Sequence, residues 1–351
     1  MTIDDTTVGF AVVGAGLVGP RHAAAAAQTA GGRLVAVVDT VEERARTLAE
    51  QHGAEWSTDL VAVLARDDVH VVSVCLPTRL HLDIGEQVIA AGKHVVMEKP
   101  LELTLDRADR LLAMAREHNV QVAAIFNRRF IPALKATKRA VDEGLMGDIL
   151  VADMYFKGYR SQEYYEGSGW RGTWAMEGGA ALINQGIHGI DLLCWIAGPV
   201  ARIFGYADHL RRDIEADDTA IGVLRYASGA MGVIQGMTSI QPPLPDRLEF
   251  HGTKGSIQLS GYSIARWDVP GAESWPAEVT EEEQALLTQV KNIADIGHIL
   301  QIADMVGVVR EGRAPVVSGD EGRKALEVTL ALYDSARDSR EVLLAGVPTA
   351  S

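Results

Sequence analysis

The chain has 351 residues, 47% hydrophobic and 23% charged, the balance of an ordinary globular protein long enough for about two domains. A formal charge of -14 and a pI near 5.2 exclude sequence-independent binding to nucleic acid or to an anionic membrane, since both need clustered Lys and Arg. The two cysteines, Cys75 and Cys194, lie inside apolar runs and read as free thiols in a reducing cytoplasm, not as a disulfide framework. No metal-ligand spacing shows, the start Met1-Thr2-Ile3-Asp4-Asp5 is acidic where a signal peptide is basic, and no window of 18 apolar residues occurs. A cytoplasmic protein is expected.

In chain order, Val8 to Val13 is a short Val-rich run that stops at Gly14-Ala15-Gly16-Leu17-Val18-Gly19 and gives way to an Ala-rich helix. A bare G-x-G-x-x-G is weak evidence. Here it follows a strand, opens a helix, and precedes a second apolar run, Leu34 to Val38, that ends in Asp39, 20 positions after Gly19. That is the spacing at which an acid closing the second strand of a βαβ unit meets the ribose of a dinucleotide. Gly14 permits the tight turn, Gly16 lets backbone approach a pyrophosphate, and Gly19 lets helix lie close on strand. The helix N-terminus supplies N–H donors to the phosphates, so the whole turn, Leu17 and Val18 included, is expected at the cofactor. An acid at Asp39 repels a 2′-phosphate, so NAD is expected over NADP.

The alternation continues with a helix over 41–52, a short strand over 54–57, a helix over 58–65 and an apolar run over 69–76. That run is continuous, as a strand covered on both faces must be. It ends in Leu76-Pro77-Thr78, expected beside the dinucleotide, with His81 opening the next helix either as a further cofactor contact or as a polar helix start with no ligand. After a helix over 82–91, the strand His94-Val95-Val96-Met97 runs straight into Glu98-Lys99-Pro100. In an open parallel sheet such a strand end faces the crevice where ligands bind. Lys99 is a candidate for chemistry because a desolvated ammonium shifts its pKa readily, Glu98 beside it can tune its charge, and Pro100 stiffens the turn. A helix over 105–119 and a sixth strand over 120–125 complete a doubly wound parallel sheet, a dinucleotide-binding domain over 1–126.

From 127 to 351 the pattern becomes α+β. After a helix to about Glu143, period-two strands replace the α/β rhythm, with one hairpin turning at Ala227-Ser228-Gly229 and another at Gly252-Thr253-Lys254-Gly255. An open antiparallel sheet with one face uncovered needs a partner, so a homodimer or homotetramer is expected. The last helix is expected to pack back on the first domain. One helix here is unusual: it follows Gly178-Gly179, spans 180–195, and sets Asn184, His188, Asp191 and Trp195 on one stripe beside an apolar one. A polar stripe on a buried helix must be satisfied or face a wet cleft. Asn184 and Asp191 are placed to orient the His188 ring, which is how a general base is held.

These motifs together resemble the Gfo/Idh/MocA family of oxidoreductases, similar in carrying a Rossmann-type half with G-x-G-x-x-G, a Glu-Lys-Pro motif and a Gly-Gly entry to a helix bearing a catalytic histidine. The likeness runs over nearly the whole chain, down to Gly312-Arg313, Ala314-Pro315 and a last helix over 320–338. It implies Lys99 and His188 as the catalytic pair, Glu98, the Pro77-Thr78 loop and His81 on the nicotinamide side, and a cis Lys99-Pro100 bond. It also implies hydride transfer between a substrate carbon and the nicotinamide, His188 exchanging the hydroxyl proton and Lys99 stabilising the alkoxide. Where many relatives carry an aspartate one turn before the histidine, this chain has Asn184, which bonds a hydroxyl but holds no counter-charge.

Substrates of similar enzymes are mostly sugars and cyclitols, with some nucleotide sugars. The segment from Lys157 to Trp174 carries Tyr159, Arg160, Tyr164, Trp170 and Arg171, aromatic faces and guanidinium groups suited to a ring with many hydroxyls. Packing plus solvated charge explains it equally well. Asn127, expected at the cofactor, and Arg128, expected at the substrate, are similar cases. If Arg160 and Arg171 both face the cleft, a phosphate or carboxylate on the substrate is favoured. The alternatives are a nucleotide-sugar dehydrogenase, an NAD-assisted glycoside hydrolase and a dinucleotide-sensing regulator, the last disfavoured by retention of both Lys99 and His188.

Overall fold

The computed structural model describes residues 7–275 and 293–344, so the acidic start of the chain lies outside it. The chain divides into two compact units, Met1–Asn127 with Val290–Arg323, and Arg128–Gln289 with Lys324–Ser351.

In the first unit six strands, β1 (Val8–Val13), β2 (Gly32–Val38), β3 (Glu55–Ser57), β4 (Val71–Val74), β5 (His94–Met97) and β6 (Val122–Ala124), pair in the order β3-β2-β1-β4-β5-β6. Every pairing is parallel. The central strands are buried along their whole length, which is why they read as unbroken apolar runs. The order reverses between β1 and β4, and ligands of such sheets bind at that point, beyond the carboxyl ends of the strands. Gly14, Asp39, Cys75, Glu98 and Asn127 all follow strand ends at this edge. The helix Ile293–Glu311 belongs to this unit, as does the start of the last helix, Gly319–Asp338. The former buries Ile296, Ile302 and Met305, and Gln301 Nε2 donates to Ala124 O at 2.6 Å beside the end of β6.

The second unit holds eight strands: β7 (Ile149–Lys157), β8 (Val200–Asp208), β9 (Thr219–Tyr226), β10 (Met231–Met237), β11 (Arg247–Gly252), β12 (Ser256–Ser260), β13 (Ser263–Asp268) and β14 (Val342–Leu343). They pair in the order β13-β12-β11-β7-β10-β9-β8-β14. Both expected hairpins form, β9 with β10 and β11 with β12. The sheet is mixed, however: β7 and β10 run parallel, because the chain leaves β7, forms the helix Ile187–Ala197 and two further strands, and only then returns alongside it. That helix covers one face, Gly189 lying so close to Met154 that a Cβ would fall 2.6 Å from its side chain. The other face alternates outward, leaving Tyr206 70% and Val223 56% exposed.

Candidate active site

The glycine turn of the first unit is built as the spacing requires. Gly14 sits at φ +100°, and a Cβ there would meet Cys75 O at 2.4 Å; a Cβ at Gly19 would meet Gly14 O at 2.1 Å. Gly16 is exposed and a Cβ on it would meet nothing within 4 Å, so its backbone is open to a ligand. Leu17 is 74% exposed and Val18 half-buried. The helix Gly19–Gln28 begins here with Pro20 in its first turn, where the missing N–H costs nothing. Asp39 closes the loop: one carboxylate oxygen accepts from Ala15 N at 2.8 Å, the other from Val41 N at 2.9 Å. The residues present therefore fit a dinucleotide.

Beyond β5, Glu98 is 5% exposed and fully hydrogen-bonded. Its Oε1 lies 3.0 Å from His22 Nε2, and its Oε2 accepts the Lys99 backbone N–H at 3.1 Å. Burial opposes ionisation of Glu98, but the His22 hydrogen bond and charge outweigh it and hold the carboxyl well below its usual range. In His22 burial likewise disfavours the cation, yet Cys75 and the Glu98 carboxylate push the pKa up to about 10. The His298 ring stands edge-on to His22 at 5.6 Å, and His298 Nδ1 lies 3.0 Å from Asn127 Nδ2. Ligand atoms of His22, Glu98 and His298 lie within 4.8 Å of one another, but since His22 and Glu98 already bond each other we read a hydrogen-bonded network and not a metal centre. His22 carries no mark in the sequence; its signal is a histidine in the Ala-rich first helix, visible only once β5 is known to end beside it. The Lys99-Pro100 bond is cis.

Two sites expected at the cofactor are occupied otherwise. His81 is fully buried, its ring held between Leu76 O at 3.0 Å and the carbonyls of Pro100 and Leu101 at 3.0 and 3.3 Å; burial pushes its pKa below the ordinary value. It ties the loops after β4 and β5 together, beside the half-buried Leu76 and Pro77 and the buried Thr78. Asn127 is buried and serves His298.

In the second unit the expected single helix is two. Ala181–Gly186 is a π-helical turn and Ile187–Ala197 an α-helix, so the stripe shifts just ahead of His188. The turn is held by a buried acid from another segment: Asp217 accepts from Ala180 N at 2.8 Å and Leu182 N at 3.0 Å, and from Tyr333 OH at 2.7 Å. Asn184 Nδ2 donates to Glu177 Oε1, while Glu177 Oε2 accepts from Gly172 N at 2.6 Å. Glu177 is buried and was missed in the sequence; it places a carboxylate against Asn184, which has none of its own. Asp191 is gripped by Arg129 in a fork, Nε to Oδ2 at 2.9 Å and Nη2 to Oδ1 at 2.6 Å. His188 is half-buried. Arg128, expected at the substrate, is spent on Asp246 at 2.6 Å and on the Tyr262 ring at 5.3 Å. Tyr159, Trp170 and Arg171 are brought together in one half-buried cluster with Arg160, Tyr164 and Arg212.

Comparison with known proteins agrees with this construction. The NAD-binding Rossmann fold of an oxidoreductase family matches residues 8–126, and the Gfo/Idh/MocA C-terminal domain matches residues 134–258. The chain is 30% identical to the WlbA dehydrogenase from Bordetella pertussis, solved in complex with NADH and UDP-GlcNAcA, with a TM-score of 0.87 over 98% of this chain and 99% of that one. It is 25% identical to the inositol 2-dehydrogenase of Rhizobium meliloti (strain 1021) over 97% of this chain and all of that protein. It is 26% identical to the scyllo-inositol 2-dehydrogenase (NAD(+)) of Bacillus subtilis (strain 168), over 95% of each. Two matched domains, a glycine turn closed by Asp39 and a sheet-backed helix bearing His188 lead to one assignment: the chain belongs to the Gfo/Idh/MocA family and is an NAD-binding oxidoreductase.

Proposed function

We propose that the protein oxidises a secondary hydroxyl of a sugar, glycoside or cyclitol, with His188 as general acid/base and Lys99 stabilising the alkoxide. The observation that carries this reading is the hydrogen bond by which Asn184, on the π-helical turn immediately before His188, is fixed to buried Glu177, support built just ahead of a histidine that opens a helix. Bound NAD supplies the hydride acceptor, held by the turn at Gly14, Gly16 and Gly19 and by Asp39. His188 takes the hydroxyl proton, and Asn184, backed by Glu177, steadies the charge the ring then carries. Lys99 donates to the oxygen as negative charge develops, its backbone held by the ionised Glu98. The inositol dehydrogenases support a polyol substrate; the WlbA likeness favours a second reading, oxidation of a nucleotide sugar. The exposed sheet face with Tyr206, Ile221, Val223 and Met231 supports assembly with a second copy, and we place the protein in the cytoplasm; no helix among the described residues is long and apolar enough to cross a membrane.

The test is NADH formation at 340 nm with NAD, and separately NADP, against inositols, free sugars, glycosides and UDP-sugars. Turnover of a polyol supports the proposal and turnover of nucleotide sugars alone promotes the second reading. Cofactor binding without turnover of anything in the panel rejects both.

A further inference from the structure

We propose that Arg160, Arg171 and Arg212, set among Tyr159, Tyr164 and Trp170, form a receptor for an oxyanion, a carboxylate or a phosphate, carried by the substrate. The inference rests on the reading that the second unit binds the polyol. Several half-buried or buried arginines elsewhere in this acidic chain are spent on acids: Arg66 on Asp68 at 2.8 Å, Arg107 on Glu102 at 2.8 Å, Arg128 on Asp246 and Arg129 on Asp191, each at 2.6 Å. Among the described residues none of the three cluster arginines has such a partner. Arg160 donates only to Tyr159 O at 2.8 Å and Gln185 Oε1 at 2.6 Å, both neutral. Arg171 and Arg212 each keep a buried Nε with no hydrogen-bond partner. Exposed Glu163 feels the charge of Arg212 without pairing to it.

A buried N–H without a partner is costly, and the Nε donors of Arg171 and Arg212 are satisfied once an acceptor oxygen arrives to meet them. The aromatic rings fix how it is met. The Arg171 guanidinium lies 4.4 Å from the Tyr164 ring centre and 4.7 Å from that of Trp170, Arg160 lies 5.5 Å from Tyr164, and Arg212 lies 5.0 Å from Tyr159. Aromatic rings against these groups are cation–π partners that leave the N–H fork, which suits two oxygens of a carboxylate or phosphate. The cluster is braced: Gln162 Nε2 donates to Asp213 O and its Oε1 accepts from Asp213 N, both at 3.0 Å, while the backbone N–H groups of Arg211 and Arg212 donate to Asp218 at 2.7 Å. It is also continuous with the residues ahead of His188, since Gln185 Nε2 donates to Asn184 Oδ1 at 3.3 Å. An oxyanion seated here is therefore recognised next to the hydroxyl that reacts.

The experiment is calorimetric titration of the NADH-saturated protein with matched probes, glucuronate and glucose 6-phosphate each against glucose, and UDP-glucuronate against UDP-glucose, alongside NADH formation from the same compounds with NAD. Saturation with NADH keeps the cofactor's own phosphate site filled. The expected result is that the anionic member of at least one pair binds about tenfold or more tightly, and that Arg171→Gln and Arg160→Gln each remove most of that preference. Arg171→Lys, which keeps the charge but loses the fork, restores only part of it. A preference confined to carboxylates or to phosphates identifies the source. Equal binding of charged and neutral members, or a preference unchanged in the arginine variants, overturns the receptor even if polyols are oxidised. An arginine-dependent preference with no NADH from any compound leaves the receptor standing and rejects the dehydrogenase reading instead.

Discussion

Replacing His22 by Ala strands the Glu98 carboxylate, which is 5% exposed and loses its partner at 3.0 Å. Breaking one side of a buried ion pair costs about 3–5 kcal/mol, because the remaining charge is left uncompensated in a place water does not reach. For a chain of 351 residues each kcal/mol moves Tm by about 1–2 °C, so the expected fall is roughly 3–10 °C. Glu98→Gln removes the charge instead of exposing it and costs less, and the double variant costs less than the sum, with a coupling of about 2 kcal/mol or more. Urea unfolding of the four proteins measures the cycle. A coupling within about 0.5 kcal/mol of zero, the ordinary error of additivity, would refute the pair as a structural unit. The same pair sets a pH window. His22 is raised above its ordinary 6.5, so its contribution is complete below 6.5 and fades as pH climbs through its raised value; Glu98 is depressed below 4.5, so its contribution holds above 4.5 and fades below it. Stability from the pair is greatest between these limits, and His22→Ala flattens both flanks of the Tm-versus-pH curve; an unaltered curve argues against the pairing.

Lys99→Met and His188→Asn are each expected to lower kcat by about 10²–10⁴-fold, with NADH binding retained by fluorescence titration; wild-type turnover in either removes it from the mechanism. Asp39→Asn keeps an acceptor for Ala15 N and Val41 N but drops the charge, so the ratio of kcat/KM for NADP over NAD rises by about tenfold or more. An unchanged ratio refutes the ribose role. Glu177→Gln leaves an acceptor for Gly172 N but no counter-charge behind Asn184, which lowers the apparent pKa of the base in the kcat/KM profile, and adding Asn184→Asp restores it; coincident profiles show that Glu177 is structural only. Val223→Asp places a charge on the exposed sheet face and converts an oligomer to monomer by light scattering; a monomeric parent disproves that interface.

Local signals were legible where one stretch of chain states its own physics. The Val-rich runs, the glycines at 14, 16 and 19 and the acid at 39 announced a parallel sheet with a dinucleotide turn, because burial on both faces, positive φ and close approach each restrict which residues fit. The two hairpins were legible for the same reason, period-two runs flanking turn residues. The parallel β7–β10 pair was not, since strand neighbours 70 and more residues apart leave no local mark.

By itself, then, the sequence determined the parallel sheet of the first half and the hairpins of the second, the glycine turn, and the placement of Lys99 at a strand end and His188 on a helix, all consequences of backbone geometry acting over a few residues. Only the tertiary structure decided which polar groups serve one another. Glu98 is tuned by His22, 76 positions away; Asn184 is backed by Glu177; Asp191 is taken by Arg129; and His81, which reads as a cofactor contact, is buried among carbonyls. A buried polar atom must find its partner wherever the fold delivers one, and that distance in space is independent of distance along the chain.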